Sequence, residues 1–243
     1  KDNKCIEFLQ WALPKLSMRW PGFRKVRRQV CRRIARRINE LGLGGVSAYR
    51  RNLLDEQSDE WQVLDGLCRI TISRFYRDRE VYRFLADTVL PELAAQASSD
   101  GETTVRCWSA GCCAGEEPYT LALIWPTKSF SVGRYGRSSL KELPGDWVSA
   151  SFALDKKLFQ LSGQVRSQVS FVGHDLRDET PFSRPFHLIC CRNLAFTYFD
   201  APSQAAVLEK LCGKLSPGGA LVIGCHEELP AHDLPLVACP STH

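Results

Sequence analysis

Residues 1–243 carry 32 Lys+Arg against 27 Asp+Glu, a net charge of +5, and are 44% hydrophobic and 24% charged. That composition excludes wholesale disorder, and no run approaches the roughly 18–20 apolar residues a membrane span needs. The opening KDNKCIEFLQWALPKL also lacks the long apolar stretch and small-residue cleavage site of a secretory leader. The charge is uneven. Residues 1–99 hold 19 basic and 12 acidic side chains, whereas residues 100–243 hold 13 and 15. Such an asymmetry predicts two parts with different tasks.

The first part reads as helical. From Arg24 to Leu41 the apolar residues Val26, Val30, Ile34, Ile38 and Leu41 recur at steps of four, four, four and three, which is one face of a helix. The other face of that helix is almost entirely Arg and Lys: Arg24, Lys25, Arg27, Arg28, Arg32, Arg33, Arg36 and Arg37. Gly42 is placed to end it. A second helix is predicted over Val46–Leu54, a third from near Ser58 through Trp61, Leu64 and Leu67, and a fourth over 78–96, kinked or interrupted at Pro91. The polar stretch SSDGETT then marks a domain boundary near 97–103.

The second part changes period. Short apolar runs at 105–110, 169–172, 187–191 and 220–224 read as buried strands. Helices are predicted between them, from Glu117 to about Trp125 and over Ser203–Leu215. Strands alternating with helices imply an α/β fold with a mostly parallel sheet covered on both faces. The expected division is therefore a basic helical domain over 1–99 and an α/β domain over 100–243.

Cysteine usage points to a compartment. The 11 Cys are scattered without a C-x-x-C pair, so no zinc ribbon or thioredoxin-type motif is present, and no metal site is predicted. Cys107, Cys190 and Cys225 lie in apolar strand-like runs, where free Cys acts as a small buried hydrophobe. A reducing cytoplasm is the expectation.

Three segments carry chemistry. Ser109-Ala110-Gly111-Cys112-Cys113-Ala114-Gly115-Glu116-Glu117-Pro118-Tyr119 follows a strand and opens a helix. Its glycines permit a tight turn and close approach of a ligand to the backbone, and Pro118 suits a first helical turn. It is neither a G-x-G-x-x-G fingerprint nor a phosphate loop. Two carboxylates there repel a phosphate and suit a ligand with hydroxyls and an ammonium, such as S-adenosylmethionine; acids at a helix N-terminus are equally a structural feature. The second segment runs from Phe186 to Asp200, a buried strand ending in Arg192 and Asn193, where open α/β sheets bind ligands. The third, Ser216-Pro217-Gly218-Gly219 before ALVIG, says fold rather than function.

In this order, the basic helix ending INELGL, EWQ…CRITISRFYRD, WSAG…GEEPYTLAL, RSSLKELP, VSFVGHDL, FHLICCRN…YFD and LSPGGALVIG…E resemble the CheR-type chemotaxis-receptor methyltransferases over about residues 23–228. The resemblance implies a Rossmann-like class I methyltransferase sheet after a small all-helical N-terminal domain. It also implies methyl transfer from S-adenosylmethionine to glutamate side chains, leaving S-adenosylhomocysteine. Carried over by position, it implies that Thr71, Ser73 and Arg77 line the cofactor pocket, with Arg77 near the reacting carboxylate. Gly111 belongs to the cofactor turn and Glu117 to the cofactor's amino group. Asp175 and Leu176 flank the adenine, Arg192 and Asn193 line the pocket floor, and Tyr198 lies near the methyl-transfer point. Thr71 and Ser73 are equally helix-cap types, and Asp175 equally a turn residue.

The chain departs from that pattern in three places. Asn193 is followed by Leu-Ala-Phe-Thr-Tyr-Phe, one residue longer than the family's spacing, which loosens the placing of Tyr198. A receptor-tethering β-subdomain is not identifiable in 152–168. Between Trp125 and Ser138 there is no acidic residue, where the family has the rest of a helix, a strand and an acid for the ribose hydroxyls. Either that element is lost or the chain is interrupted within 125–134; interruption, visible as a jump between consecutive α-carbons, is the expectation.

A glutamate nucleophile is ionised at neutral pH, with a pKa near ~4.3, so the missing general base is no difficulty. In the family the basic helix faces acidic receptor helices, which makes an acidic protein the expected partner of residues 24–41. Nucleic acid fits less well, because no aromatic residues interleave with the charges. The alternatives are a methyltransferase of a small molecule or RNA, and an adenosyl-binding docking module without activity.

Overall fold

The computed structural model describes residues 2–55, 58–125, 134–135, 137–155, 158–161 and 166–239. In chain order the α-helices are α1 (Asp2–Ala12), α2 (Trp20–Phe23), α3 (Arg27–Glu40), α4 (Val46–Leu53), α5 (Glu60–Cys68), α6 (Arg79–Phe84), α7 (Leu90–Ser99), α8 (Glu116–Ile124), α9 (Gly145–Ser151), α10 (Ala195–Tyr198) and α11 (Ala201–Cys212). The strands are β1 (Cys107–Ser109), β2 (Arg134–Tyr135), β3 (Phe152–Asp155), β4 (Leu158–Leu161), β5 (Phe186–Cys191) and β6 (Leu215–Ile223).

Contacts divide the chain into two compact units: residues 1–70 with 193–205, and residues 71–192 with 206–243. The division expected near residue 99 follows the change from helical to strand-bearing sequence; the contacts divide elsewhere. The reason is visible in the second unit, where Tyr82, Leu85, Leu90 and Leu93 of the helical stretch share one buried cluster with Leu188 and Cys190 of β5.

The first unit packs around α3. Val30, Ile34 and Ile38 are buried at 0–5% exposure, as their four-residue spacing predicts. They meet Phe8, Leu9 and Ala12 of α1, Tyr49 and Leu53 of α4, and Leu64 of α5. Cys5 and Cys31 form a disulfide that ties α1 to α3, so the expectation of thiols throughout fails at this pair. Two arginines of the basic helix are also not on a solvated face. Arg33 donates to the carbonyls of Leu67, at 3.1 Å, and Arg69, beyond the end of α5. Arg37 donates through Nε and Nη2 to the buried Glu60, at 2.9 and 2.8 Å, and Tyr49 OH donates to the same carboxylate at 2.8 Å. Helix α3 begins at Arg27, so Arg24 and Lys25 of the helix expected from residue 24 lie just before it, both exposed. The exposed arginines of α3 itself, Arg28, Arg32 and Arg36, recur every fourth residue and form one row.

Residues 193–205 close this unit. The Arg19 backbone N–H donates to the Tyr198 carbonyl at 2.8 Å, and its guanidinium donates to the carbonyls of Thr197 and Phe196. Met18 and Phe199 form an antiparallel bridge. Gly22 is required here, because a Cβ at that position would stand 2.2 Å from the Thr197 carbonyl oxygen.

The second unit carries a parallel sheet in the order β1-β5-β6, with Trp108 opposite Ile189 and Ile189 opposite Leu221. The strand expected at 169–172 does not form; these residues have no ladder partner among the described residues, and Phe171 and Val172 are 54% and 53% exposed. Of the three cysteines expected to be buried, Cys190 is, whereas Cys107 and Cys225 are exposed. Pro91 interrupts its helix as predicted. A π-helical turn, Leu85–Val89, precedes it and absorbs the hydrogen bond and the space that the proline ring denies. A small antiparallel sheet in the order β2-β4-β3 occupies part of the segment from 134 to 161. The interruption expected within 125–134 falls on residues 126–133, outside the described residues.

Candidate active site

The site is built where β1 ends. The Ala110 N–H donates to the Cys190 carbonyl at 2.7 Å, which carries the pairing of β1 with β5 one residue past the strand. The chain then turns through left-handed angles at Gly111 (φ 78°), Cys113 (φ 53°) and Gly115 (φ 93°). At Gly115 a Cβ would also meet the rings of Phe171 and Tyr119 at 2.9 Å, so both conformation and space demand glycine. Helix α8 starts at the next residue and directs Glu116 and Glu117 inward; they are 5% and 9% exposed.

Glu117 is held from two sides. Ser109 Oγ donates to its Oε1 at 2.6 Å, and Arg192 Nη1 donates to its Oε2 at 3.1 Å. The same Arg192 nitrogen reaches Tyr82 OH at 3.1 Å, while Nη2 donates to the Arg77 carbonyl at 2.9 Å and to Asp78 Oδ2 at 2.6 Å. The Arg192 side chain is 3% exposed. Burial works to lower its pKa, but Tyr82, Glu117 and Asp78 outweigh burial and leave it above the ordinary arginine value. Burial, and then Glu117, push the Tyr82 phenol well above the usual tyrosine range.

Among the described residues two buried atoms here have no hydrogen-bond partner, Arg192 Nε in this network and Glu116 Oε2 one residue before Glu117. An unpaired carboxylate oxygen at the start of α8 is suited to an ammonium group, and the fit of this turn to the amino-acid end of S-adenosylmethionine rests on it. The neighbouring thiols do not compete as nucleophiles. Burial raises Cys112, with Glu117 and Glu116 adding to it, and Cys113 is pushed up to about 11 by burial and then by Glu116.

The expected residues are distributed unevenly. Thr71, Ser73, Arg77, Gly111, Glu117, Asp175, Leu176 and Arg192 belong to the second unit, and Asn193 and Tyr198 to the first. Arg77, Glu117 and Arg192 meet in one network. Arg77 is half-buried and its Nη1 donates to the Ile72 carbonyl at 3.2 Å; Thr71 is exposed and Ser73 half-buried. Asp175 is engaged by its own turn: it accepts from the Arg177 backbone N–H at 3.0 Å and from the Arg177 guanidinium at 2.9 and 2.6 Å. Leu176 is buried next to it. The Tyr198 ring packs edge-on against Phe23, with centroids 5.1 Å apart.

Sequence reasoning missed Ser109, Asp78 and Tyr82. Two signals were available. Asp78 directly follows the arginine singled out for chemistry, and Tyr82 follows Asp78 by four residues, one helical turn on.

Comparison with known proteins gives these residues a context. The family model described as CheR methyltransferase, SAM binding domain, matches residues 71–130 and 127–243. Its two pieces meet where the sequence departs from the family pattern. A probable chemotaxis protein methyltransferase of Rhizobium etli is 29% identical over 225 residues, covering 81% of this chain and 82% of the relative. A chemotaxis protein methyltransferase of Listeria monocytogenes is 29% identical over 183 residues, 68% of each. An uncharacterized 104.1 kDa protein of Rhodobacter capsulatus is 28% identical over 223 residues, which is 82% of this chain and 23% of that much longer protein. With more than half of its length matched by the family model, the chain belongs to the CheR methyltransferase family, whose methyl donor is S-adenosylmethionine.

Proposed function

We propose that this protein transfers methyl groups from S-adenosylmethionine to glutamate carboxylates of an acidic protein partner, in a cytoplasmic setting. The observation that supports the reading is the turn at Arg77, whose backbone carbonyl accepts from the same Arg192 guanidinium that holds Glu117. Bound S-adenosylmethionine supplies a methyl group already activated on a sulfonium. What the chain must supply is position and partial desolvation. A glutamate side chain needs no proton removed at neutral pH. Arg77 holds it by a charge-assisted, two-pronged contact. Glu117, with the unpaired oxygen of Glu116 one residue before it, takes the donor's ammonium. The Gly111–Gly115 turn leaves backbone room for the donor, and Asp175 and Leu176 bound the adenine.

The exposed arginines Arg24, Arg28, Arg32 and Arg36 form the surface for the acidic partner. Its charges stand in solvent, apart from Arg36, which has an exposed contact with Glu40 at 3.7 Å. The test is chemical. Label transferred from S-adenosylmethionine to an acidic protein should be released as methanol in mild base, because a carboxylate yields an ester. Base-stable label on lysine, arginine or RNA overturns the assignment.

A further inference from the structure

Arg77 stands between two residues with left-handed backbone angles, Tyr76 (φ 57°) and Asp78 (φ 64°). Neither is glycine, and for a bulky residue such as tyrosine that region is an outlier. Conformations of this kind persist only where the surroundings over-determine them. Here they do so from both sides. The Tyr76 N–H donates to Thr120 Oγ1 at 3.1 Å, and the Thr120 hydroxyl donates to the Glu116 carbonyl at 2.6 Å. Beyond Arg77, one nitrogen of the Arg192 guanidinium grips both the Arg77 carbonyl and the Asp78 carboxylate, and the other grips Glu117 and Tyr82. Tyr76, Tyr82 and the Arg192 side chain are 5%, 1% and 3% exposed, so the grip is made away from water.

We propose that Asp78 and Arg192 are positioning residues that make the conformation of the Arg77 turn depend on what occupies Glu117. The proposal rests on the reading of Glu117 as the contact for the donor's ammonium. A carboxylate oxygen has room for more than one donor. An ammonium arriving at Glu117 shares its charge, weakens the pull of that carboxylate on Arg192, and leaves more of the guanidinium's attraction to Asp78 and the Arg77 carbonyl. Donor binding therefore tightens the turn that presents Arg77 to the acceptor. The guanidinium is suited to this because its donors are fixed in one rigid plane, so what happens at one edge is felt at the other.

The test uses the full chain with S-adenosylhomocysteine as the probe, measuring affinity by calorimetry and amide hydrogen exchange over residues 75–79. In the wild type, the probe should slow exchange in the turn by about tenfold, within the usual range of coupling between sites. Asp78→Asn keeps the shape and tolerates the left-handed region but removes the charge. Its slowing should fall below about threefold, while probe affinity changes by less than about threefold. Arg192→Lys, which loses the fork, should abolish the slowing and weaken the probe as well. A purely structural Asp78 would speed exchange equally with and without the probe, so the ratio is the deciding quantity. Undiminished slowing in Asp78→Asn overturns the proposal, as does a wild type that binds the probe without slowing. A wild type that does not bind the probe overturns the reading of Glu117 itself.

Discussion

In the first unit Arg37, Glu60 and Tyr49 form a buried group of guanidinium, carboxylate and phenol; in the second, Arg192, Glu117 and Tyr82 repeat the same three chemistries. Around Glu60 both carboxylate oxygens are taken, Oε1 by Arg37 and Tyr49 and Oε2 by Arg37, and all three residues lie on regular helices. Around Glu117 the group spreads to Asp78 and Ser109, leaves Arg192 Nε without a partner among the described residues, and leans on two left-handed residues. A satisfied network on relaxed backbone is a fastening. An incompletely satisfied one on strained backbone is where we propose that the ligand is received.

The largest expected effect breaks the fastening. Glu60→Ala strands the Tyr49 hydroxyl, which is fully buried, and leaves Arg37 without its main partner. The loss should be about 3 kcal/mol, measured by urea unfolding, with affinity for S-adenosylhomocysteine unchanged in the fraction that stays folded. The variant should also change the acid limb. Hydrogen bonding from Arg37 lowers the Glu60 pKa against the opposing effect of burial, and Tyr49 lowers it further. The unfolded chain therefore binds the extra proton first as pH falls. The wild type should lose this stability below about pH 4.5, the ordinary glutamate value. A Glu60→Ala chain with the same acid slope as wild type would show that Glu60 is not responsible.

The next effect is at the receiving network. Glu117→Gln preserves the shape around Arg192 but removes the charge offered to an ammonium. S-adenosylhomocysteine should bind about ten- to a hundredfold more weakly, matching the roughly 1.5–3 kcal/mol of a charged hydrogen bond. An unchanged dissociation constant would take Glu117 out of the site and erase the contrast between the two networks.

The smallest effect on stability separates arginines within the basic segment 24–37. Reversing Arg24, Arg28, Arg32 and Arg36 to Glu should leave the unfolding free energy within about 0.5 kcal/mol per site. It should also raise the Michaelis constant for an acidic protein acceptor, an effect that shrinks as salt is added. Reversing Arg33 and Arg37 should instead lower stability, because those two close α5 and pair with Glu60. If all six positions behaved alike, the division of this segment into a fastening edge and an exposed face would fall.

Much of this was legible from spacing alone. The apolar period set the buried face of α3 at Val30, Ile34 and Ile38, although Val26 and Leu41 fall just outside the helix and Leu41 is exposed, and the apolar runs at 187–191 and 220–224 marked β5 and the C-terminal part of β6. The Gly-rich segment before Glu117 marked the turn, since glycine is needed there for both angle and room. What escaped notice depends on contacts distant in sequence. Nothing local distinguishes Arg33 and Arg37 from Arg32 and Arg36, because the partners that set them apart come from α5 and the residue just past it. The run at 169–172 has the apolar content of a strand, but it has no ladder partner among the described residues, and content without a partner does not make a sheet. The left-handed angle at Tyr76 runs against the preference of a bulky residue, and nothing in the sequence marks the one at Asp78, so only the surrounding hydrogen bonds reveal them. The role of Arg192 in holding the Arg77 turn is hidden for the same reason, since 114 positions separate it from Asp78.

Residues 193–205 complete the first unit, and this sets an order of events during synthesis. Met18, Arg19 and Gly22 leave the ribosome early, yet Phe199, Tyr198 and Thr197, which cover them, are made only after residues 71–192. At ~5–20 residues per second that interval is roughly 6–24 s. For that time the nascent N-terminal helices hold an uncapped apolar surface around Phe23. A ribosome stalled before residue 193 should therefore present a chain that chaperones bind, and one stalled well after residue 205 should not.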